Sequence, residues 1–231
     1  MKGGPLSQAS PSKTSHLATQ SLLERVADPS GAALLTMELQ NGIVGADALF
    51  PQLVSRVAET GILETTRRLC EAARSVGAKV VHCTKVTRPD GAAQSINCKV
   101  FALGEKMRIA NGRDAVEIGS SGAALVDGMW DPIDFEVSRL HGMTPFTASA
   151  LDQILRNLGI RTVILTGVSL NLGIFGMALS AVDLGYQVVI VRDAVTGTPA
   201  DYCEQVVDHS LSLIATIINA EDLLAAWKRT A

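Results

Sequence analysis

The sequence feature that most constrains the fold is a short apolar strand that runs directly into a turn and a helix. The strand is predicted over 162–165, where β-branched and aliphatic residues are typical of a parallel strand buried on both faces. A turn follows at 166–173, and apolar residues then recur at helical spacing from Ile174. Ligands of parallel α/β sheets bind at the carboxyl ends of the strands, so this turn is a candidate binding element. Its hydroxyl, amide and backbone N–H groups suit an anion or an oxyanion, but it offers no obvious nucleophile.

The same succession of strand and helix recurs along the chain. Further strands are predicted over 32–37, 79–84, 134–137, 187–191 and 215–218. Helical patterns separate them, for example over 61–76 and after the Thr144-Pro145 helix start. This alternation predicts an α/β fold: a doubly wound, mainly parallel six-stranded sheet flanked by helices in a Rossmann-like three-layer arrangement with right-handed crossovers.

The domain organisation follows from length and local composition. With 231 residues and 47% hydrophobic content, the chain suits one large α/β domain, predicted over 28–231. Residues 1–27 begin with a Ser/Pro-rich polar lead and are predicted to form a partly flexible N-terminal arm. Residues 85–133 contain only a weak helix near 100–106, and a loop-rich insertion of this length is usually functional or binds a partner.

Charge and cysteine content exclude several classes of function. A formal net charge of -3 gives no basic face, so we expect neither nucleic acid nor membrane as a partner. No apolar run reaches the ~18 residues of a membrane span, and the N-terminus lacks the apolar core of a secretory signal. We therefore expect a cytoplasmic protein. The 4 cysteines are scattered without a CxxC pair, which predicts neither a disulfide framework nor a structural zinc site.

Polar groups emerge at the ends of three predicted strands. Glu38 follows the first, Arg139 and His141 follow another, and Ser169 and Asn171 follow the strand at 162–165. The carboxyl ends of parallel strands lie on one edge of the sheet, so these residues can converge on one pocket. The alternative is that strand ends are polar simply because they meet solvent.

Several segments resemble one known family. The segment 34–41 resembles the opening strand of the isochorismatase-like hydrolase superfamily, the cysteine hydrolases that include nicotinamidases and N-carbamoyl amidases. The segment 137–139 is similar to the family segment that carries a Lys, and 165–173 to the strand and turn that present the catalytic Cys. The resemblance continues through 181–186 and 192–194. It implies the isochorismatase-like fold from about residue 28 onwards and a cis peptide between Val168 and Ser169.

The chain departs from the family pattern at all three catalytic positions. Glu38 stands where the family has Asp, Arg139 where it has Lys, and Gly173 where it has the Cys nucleophile. The resemblance is thus to an atypical member without the catalytic Cys, and loss of the thiol removes the covalent thioester route. Arg139 keeps a positive charge but does not lose its proton, so it can only clamp or stabilise negative charge.

The resemblance still allows an enzyme, because some isochorismatases lack the thiol and hydrolyse a vinyl ether by protonating it. On this hypothesis the chain is a hydrolase that applies acid/base chemistry to a small anionic or carbonyl-bearing molecule. Glu38 is the acid/base group, Arg139 the charge clamp and His141 a second acid/base group. A structural role for His141, bonding loop backbone, stays open. Two alternatives are a non-catalytic binding or scaffold protein that retains the fold, and a hydrolase that depends on Cys83.

The remaining expectations concern the pocket wall, cofactors and assembly. Substrate or oxyanion binding is predicted for residues of four segments, namely Gln40, Arg88, Phe146, Ser169, Asn171, Leu172 and Gly173. No metal is expected, because the ligands that metal-dependent nicotinamidases carry after the second strand are absent from 84–90. No cofactor is expected either, since the glycines lack dinucleotide-binding spacing. The resemblance implies a homo-oligomer, a dimer or a tetramer.

Overall fold

A computed structural model describes residue 23, residues 28–45 and residues 48–230. The predicted N-terminal arm, 1–27, lies outside the described residues apart from Leu23. Within the described part of the chain, no helix is both long and apolar enough to cross a membrane.

Six parallel strands form one sheet in the order β3-β2-β1-β4-β5-β6. The strands are β1 (Ala32–Met37), β2 (Lys79–Lys85), β3 (Phe135–Arg139), β4 (Thr162–Gly167), β5 (Gln187–Val195) and β6 (Thr216–Ile218). The predicted doubly wound α/β sheet is therefore confirmed. The strand order reverses between β1 and β4, and in such sheets the crevice at this switch point is where ligands bind.

Nine α-helices occur in the described residues. They are α1 (Asn41–Val44), α2 (Pro51–Thr60), α3 (Ile62–Ser75), α4 (Lys99–Asn111), α5 (Pro145–Ala148), α6 (Leu151–Asn157), α7 (Phe175–Asp183), α8 (Ala200–His209) and α9 (Ala220–Thr230). A π-helical turn at Leu170–Ile174 precedes α7, and a short 3-10 helix, Leu211–Leu213, follows α8. The N-terminus of α5 is capped as the sequence predicts: Phe146 N–H donates to the Thr144 hydroxyl at 3.3 Å, and Pro145 is the first helical residue.

The sheet separates two apolar layers, as the alternation of side chains along its strands requires. In β1, Ala33 and Leu35 face a cluster formed with helices α6, α7 and α8. Ala32 and Leu34 face the opposite cluster, built with α3 and α9. All four of these side chains are fully buried, which explains why the strand has no alternation of polar and apolar residues.

The 85–133 segment contains one helix, α4, in the region where the sequence indicated a weak one. No residue of α4 is buried, so the helix lacks the apolar stripe that marks a packed helix in a sequence. An isolated bridge from Gln40 to Leu125 joins the segment to the rest of the domain, and a second bridge, Thr87 to Glu117, lies within the segment. The peptide between Val168 and Ser169 is cis, as the resemblance implies.

Candidate active site

One cavity of about 240 Å³ lies at the carboxyl edge of the sheet, where the strand ends converge. Seven of the predicted site residues line it, namely Glu38, Arg139, His141, Ser169, Asn171, Leu172 and Gly173. They come from the ends of β1, β3 and β4, so the predicted convergence of strand ends is present in the structure. Met143 is also one of the residues that line the cavity.

The roof of the cavity comes from segments that the sequence did not assign to the site. Phe50 and Leu53 approach from the start of α2, and Val100 and Phe101 approach from α4. The Phe101 ring lies 4.8 Å from the His141 ring, centroid to centroid. Because α4 buries none of its residues, contacts of this kind along the cavity hold it in place.

Glu38 and Arg139 form an ion pair at the base of the cavity. The backbone of Glu38 has a φ of 53°, in the left-handed region, and this ends β1. Its N–H donates to the carbonyl of Cys83 at 2.9 Å, which fixes the turn against the neighbouring strand. The Arg139 side chain is 1% exposed and that of Glu38 17% exposed, so solvent screens the pair weakly.

Every nitrogen of the Arg139 guanidinium has a protein partner. Nε donates to the carbonyl of Gly142 at 3.0 Å, Nη1 donates to the carbonyl of Thr84 at 3.2 Å, and Nη2 donates to Glu38. These bonds use three of the five N–H groups of the guanidinium, so one N–H remains on each Nη atom, and the clamp on substrate stays a prediction. In this arrangement Arg139 orients and neutralises Glu38.

His141 lines the cavity and contacts the loop before α4. Its Nδ1 accepts a hydrogen bond from the backbone N–H of Ser95 at 3.4 Å. This is the loop-backbone role that the sequence left open. In the neutral ring an acceptor at Nδ1 places the proton on Nε2, so this tautomer presents a donor rather than a base at its other nitrogen.

The turn after β4 satisfies much of its own polarity. The Ser169 hydroxyl donates to Oδ1 of Asn171 at 2.7 Å. The N–H groups of Leu172 and Ile174 both donate to the Ser169 carbonyl, at 3.2 and 3.0 Å. The predicted oxyanion cradle thus offers fewer donors than its sequence suggests, and the amide NH₂ of Asn171 is the side-chain donor that these bonds leave for the cavity.

Gly173, which the family resemblance matches to the thiol position, forms part of the cavity wall. A Cβ atom there would lie 3.0 Å from the Met37 methyl and 3.3 Å from the Val168 carbonyl oxygen. No cysteine is among the residues that line the cavity. Cys83 is fully buried beneath it, and burial raises the pKa of its thiol to about 12.

Gln40, which we expected to bind substrate, lies outside the cavity. Its amide NH₂ donates to the carbonyls of Lys85 and Ala123 at 2.9 and 2.7 Å, and its Oε1 accepts from the N–H of Lys85 at 2.8 Å. The side chain is fully buried. Its amide therefore links the end of β2 to the 85–133 segment and has no donor left for a ligand.

Arg88 and Phe146 also lie away from the cavity, for different reasons. Arg88 makes two hydrogen bonds to Asp90, at 3.0 and 2.8 Å, in an exposed loop. Phe146 is 8% exposed and packs against Tyr186 with ring centroids 5.7 Å apart. Neither residue is among those that line the cavity, so substrate binding by Arg88 and Phe146 stays a prediction.

Six polar residues of the cavity were missed by the sequence reasoning: Lys85, Gln94, Ser95, Glu105, Asp114 and Thr198. Lys85 ends β2 and is in register with Arg139, so the rule that strand ends converge could have identified it. Gln94 and Asp114 belong to the loop-rich segment, where no periodic pattern shows which side chains turn inward. As for metals, residues 28–45 and 48–230 contain no cluster of three or more His, Cys, Asp or Glu able to hold an ion.

Comparison with known protein families, curated sequences and solved structures points to one family. Residues 32–222 match the family described as isochorismatase domain. A segment of 81 residues, 35% of this chain, is 33% identical to the uncharacterized isochorismatase family protein YecD of Escherichia coli O157:H7 and spans 43% of that relative. The ureidoacrylate amidohydrolase RutB of Pseudomonas savastanoi pv. phaseolicola is 24% identical over 192 residues, 77% of this chain and 75% of the relative.

Solved structures show the same fold. An isochorismatase family protein from Burkholderia thailandensis superposes with a TM-score of 0.67 and is 25% identical in sequence. The superposition covers 86% of this chain and 96% of the Burkholderia protein. The parallel sheet and its flanking helices are thus shared over almost the whole of that structure.

Proposed function

The chain belongs to the isochorismatase domain family of hydrolases, and from that membership we propose that it hydrolyses a small anionic or carbonyl-bearing molecule without a cysteine nucleophile, with Glu38 as the acid/base group. One observation carries the proposal. The Glu38 carboxylate, oriented by Arg139, lies in the same cavity as Gly173, whose position in the family pattern belongs to the thiol.

The ion pair indicates that Glu38 accepts a proton before it donates one. Glu38 must be ionised to pair with Arg139, and an ionised carboxylate accepts protons. It is therefore placed to take a proton from a water molecule as that water attacks a substrate carbonyl. A carbonyl-bearing substrate fits this state better than a vinyl ether, whose cleavage needs a protonated acid at the outset. The RutB relative, named as an amidohydrolase, supports an amide-type carbonyl as the target.

The proposed reaction balances with Glu38 as the proton carrier. Water gives a proton to the Glu38 carboxylate while its oxygen bonds to the carbonyl carbon, and a tetrahedral oxyanion forms. The bond to the leaving group then breaks, and that group takes the proton from Glu38. The side-chain donors of Asn171 and His141 line the cavity and are available to the oxyanion. A positioned acid/base group of this kind contributes roughly 10²–10⁴ in rate.

Small-molecule binding without turnover is the second candidate function. It is supported by the three hydrogen bonds that Arg139 donates to the protein, which make the Glu38 pair equally suitable as a rigid element of a binding pocket. Assembly is a separate proposal: exposed apolar residues on and after α7, including Leu179 at 41% and Leu184 at 37%, support a homo-oligomer.

A panel of small amides, esters and enol ethers tests the proposal. We expect the wild-type chain to hydrolyse at least one member and Glu38→Gln to lower kcat by about 10²–10⁴ while keeping the fold. Glu59→Gln is the matched control, since Glu59 is exposed on α2 and is not among the residues that line the cavity. Cys83→Ser should also retain activity. Equal inactivity of wild type and Glu38→Gln across the panel, with ligands still bound, would favour the binding function.

A further inference from the structure

Lys85 brings to the cavity a positive charge that the protein does not use. It ends β2 in register with Arg139, and both residues line the cavity. Each nitrogen of the Arg139 guanidinium already donates one hydrogen bond to a protein acceptor. The ammonium group of Lys85, in contrast, has no ion-pair or hydrogen-bond partner among the residues that the structure describes.

Gln94 adds an unsatisfied donor to the same cavity. Its Nε2 atom is buried and makes no hydrogen bond to any described residue. Burial of an amide donor without a partner costs free energy, and native proteins keep few such groups. A ligand acceptor in the cavity would supply the missing hydrogen bond.

The other charged groups of the cavity already have partners. Glu38 pairs with Arg139. Glu105 is held by two hydrogen bonds of 2.8 Å from Arg108. The remaining acid, Asp114, is buried, and its Oδ1 accepts from the N–H of Val116 at 3.0 Å. Of the Lys and Arg side chains that line the cavity, Lys85 is thus the one whose charge a ligand can balance, because its ammonium lacks a protein partner within the described chain.

We propose that Lys85 and Gln94 form a carboxylate-recognition subsite, so that the molecule bound in the cavity is a small carboxylate. A carboxylate has two acceptor oxygens and one negative charge, which match one ammonium and one amide donor. Carboxylate binding by this subsite does not depend on the proposed function. Only the placement of a hydrolysable bond of the ligand at Glu38 rests on that function. Specificity for the anion is assigned to Lys85 in place of the Arg139 clamp that the sequence suggested.

A binding experiment with a matched pair of probes tests this subsite. Fluorine NMR titrations of the full chain with para-fluorobenzoate and para-fluorobenzamide compare a carboxylate with its neutral amide of nearly equal size. We expect the wild type to bind the carboxylate about tenfold more tightly. Lys85→Met should abolish this preference with little effect on the amide, Lys85→Arg should restore it, and Gln94→Leu should weaken carboxylate binding by about threefold or more.

Lys79→Met is the control, because Lys79 lies exposed at the opposite end of the same strand and carries the same charge. A wild-type chain that binds neither probe, or both equally, would overturn the subsite, as would a Lys85→Met variant that keeps the preference. A failure of the proposed function gives a different result from a failure of the subsite. If only the proposed function fails, wild type and Glu38→Gln both still prefer the carboxylate probe, but no compound of the hydrolysis panel is hydrolysed. Hydrolysis of neutral substrates without the preference would instead refute the subsite alone.

Discussion

Arg139 and Glu38, 101 positions apart in the chain, form an ion pair that crosses over the end of β2. On the family resemblance, an Asp and a Lys are expected where this chain has Glu38 and Arg139. The guanidinium fork also binds the carbonyls of Thr84 and Gly142, which a lysine ammonium is less suited to do at once.

The first prediction concerns the stability that this pair contributes. Arg139→Leu leaves the carboxylate of Glu38 without its counter-ion in a largely buried position, so we expect the free energy of unfolding to fall by about 3–5 kcal/mol. Arg139→Lys keeps the charge but loses part of the hydrogen bonding, so the loss should be about 1–2 kcal/mol. Urea unfolding followed by circular dichroism measures both. Arg113→Leu, at an exposed arginine, should change stability by less than about 0.5 kcal/mol, and an equally small effect for Arg139→Leu would contradict the pair's structural role.

The second prediction is that Gly173 accepts a cysteine. The new Cβ would lie 3.0 Å from the flexible Met37 methyl and 3.3 Å from the Val168 carbonyl oxygen, so the side chain must shift and the carbonyl must move by a few tenths of an ångström. We expect Gly173→Cys to change the free energy of unfolding by less than about 1 kcal/mol. The introduced thiol should react with iodoacetamide, because the cavity reaches this residue.

Gly42→Cys is the contrasting variant from the same cavity. Its Cβ would lie 2.1 Å from the backbone oxygen of Ala115, which cannot move aside as a side chain can. We expect this variant to lose roughly 2–3 kcal/mol or fail to fold, as overpacking against rigid neighbours does. If both variants were equally destabilised, the space around Gly173 would accept a side chain no better than the space around Gly42. The prediction that Gly173 accepts a cysteine would then be wrong.

The sheet and the base of the site follow from the sequence for a shared physical reason. Buried parallel strands require nearly continuous apolar runs, which are visible without any tertiary information, and their carboxyl ends meet at one edge. Glu38, Arg139 and Gly173 were therefore predictable as neighbours from their places after β1, β3 and β4. Lys85 obeys the same rule at the end of β2.

The segments that cover the cavity, and the directions of individual side chains, could not be predicted from the sequence. Helix α4 buries no residue, so no apolar periodicity marks it, and Gln94 lies in a loop whose course depends on distant contacts. Gln40 is a polar residue near the end of β1, as expected for a residue that binds a ligand. Its amide NH₂, however, donates to backbone carbonyls 45 and 83 positions away in the chain. Arg88 is similar, since the nearby Asp90 supplies a local partner that competes with any ligand.

The third prediction is that Cys83 is chemically inert in the folded chain. With a pKa raised to about 12 by burial, only about one thiol in ten thousand is ionised at pH 8, and the thiolate is the reactive form. Cys98 is partly exposed. Iodoacetamide at pH 8, followed by peptide mass spectrometry, should label Cys98 within minutes and leave Cys83 unmodified until urea is added. Rapid labelling of Cys83 accompanied by loss of hydrolysis would restore the Cys83-dependent mechanism.

The last prediction concerns acid stability, which a second buried ion pair controls. Asp134 accepts two hydrogen bonds from Arg74, at 3.1 and 2.6 Å, and contacts Nε2 of His82 at 3.1 Å. Burial by itself raises the pKa of Asp134, but the hydrogen bonds from His82 and Arg74 outweigh it and hold the pKa below the ordinary 3.8. A carboxyl group whose folded pKa is depressed stabilises the fold above its unfolded pKa, and this stabilisation is lost as the pH falls through the folded value.

We therefore expect wild-type stability to decline as the pH falls below about 4, partly through protonation of Asp134. Asp134→Asn should lose about 3–5 kcal/mol at pH 7, because it leaves the largely buried Arg74 without a counter-ion, and its stability should depend less on pH below 4. Urea unfolding at several pH values between 2.5 and 7 measures both effects at roughly 0.3 kcal/mol precision, enough to separate them. Asp127→Asn, at an exposed aspartate, should show neither. An Asp134→Asn curve parallel to that of wild type would mean that the acid sensitivity lies in other carboxylates, since a depressed pKa at Asp134 requires the two curves to converge as the pH falls.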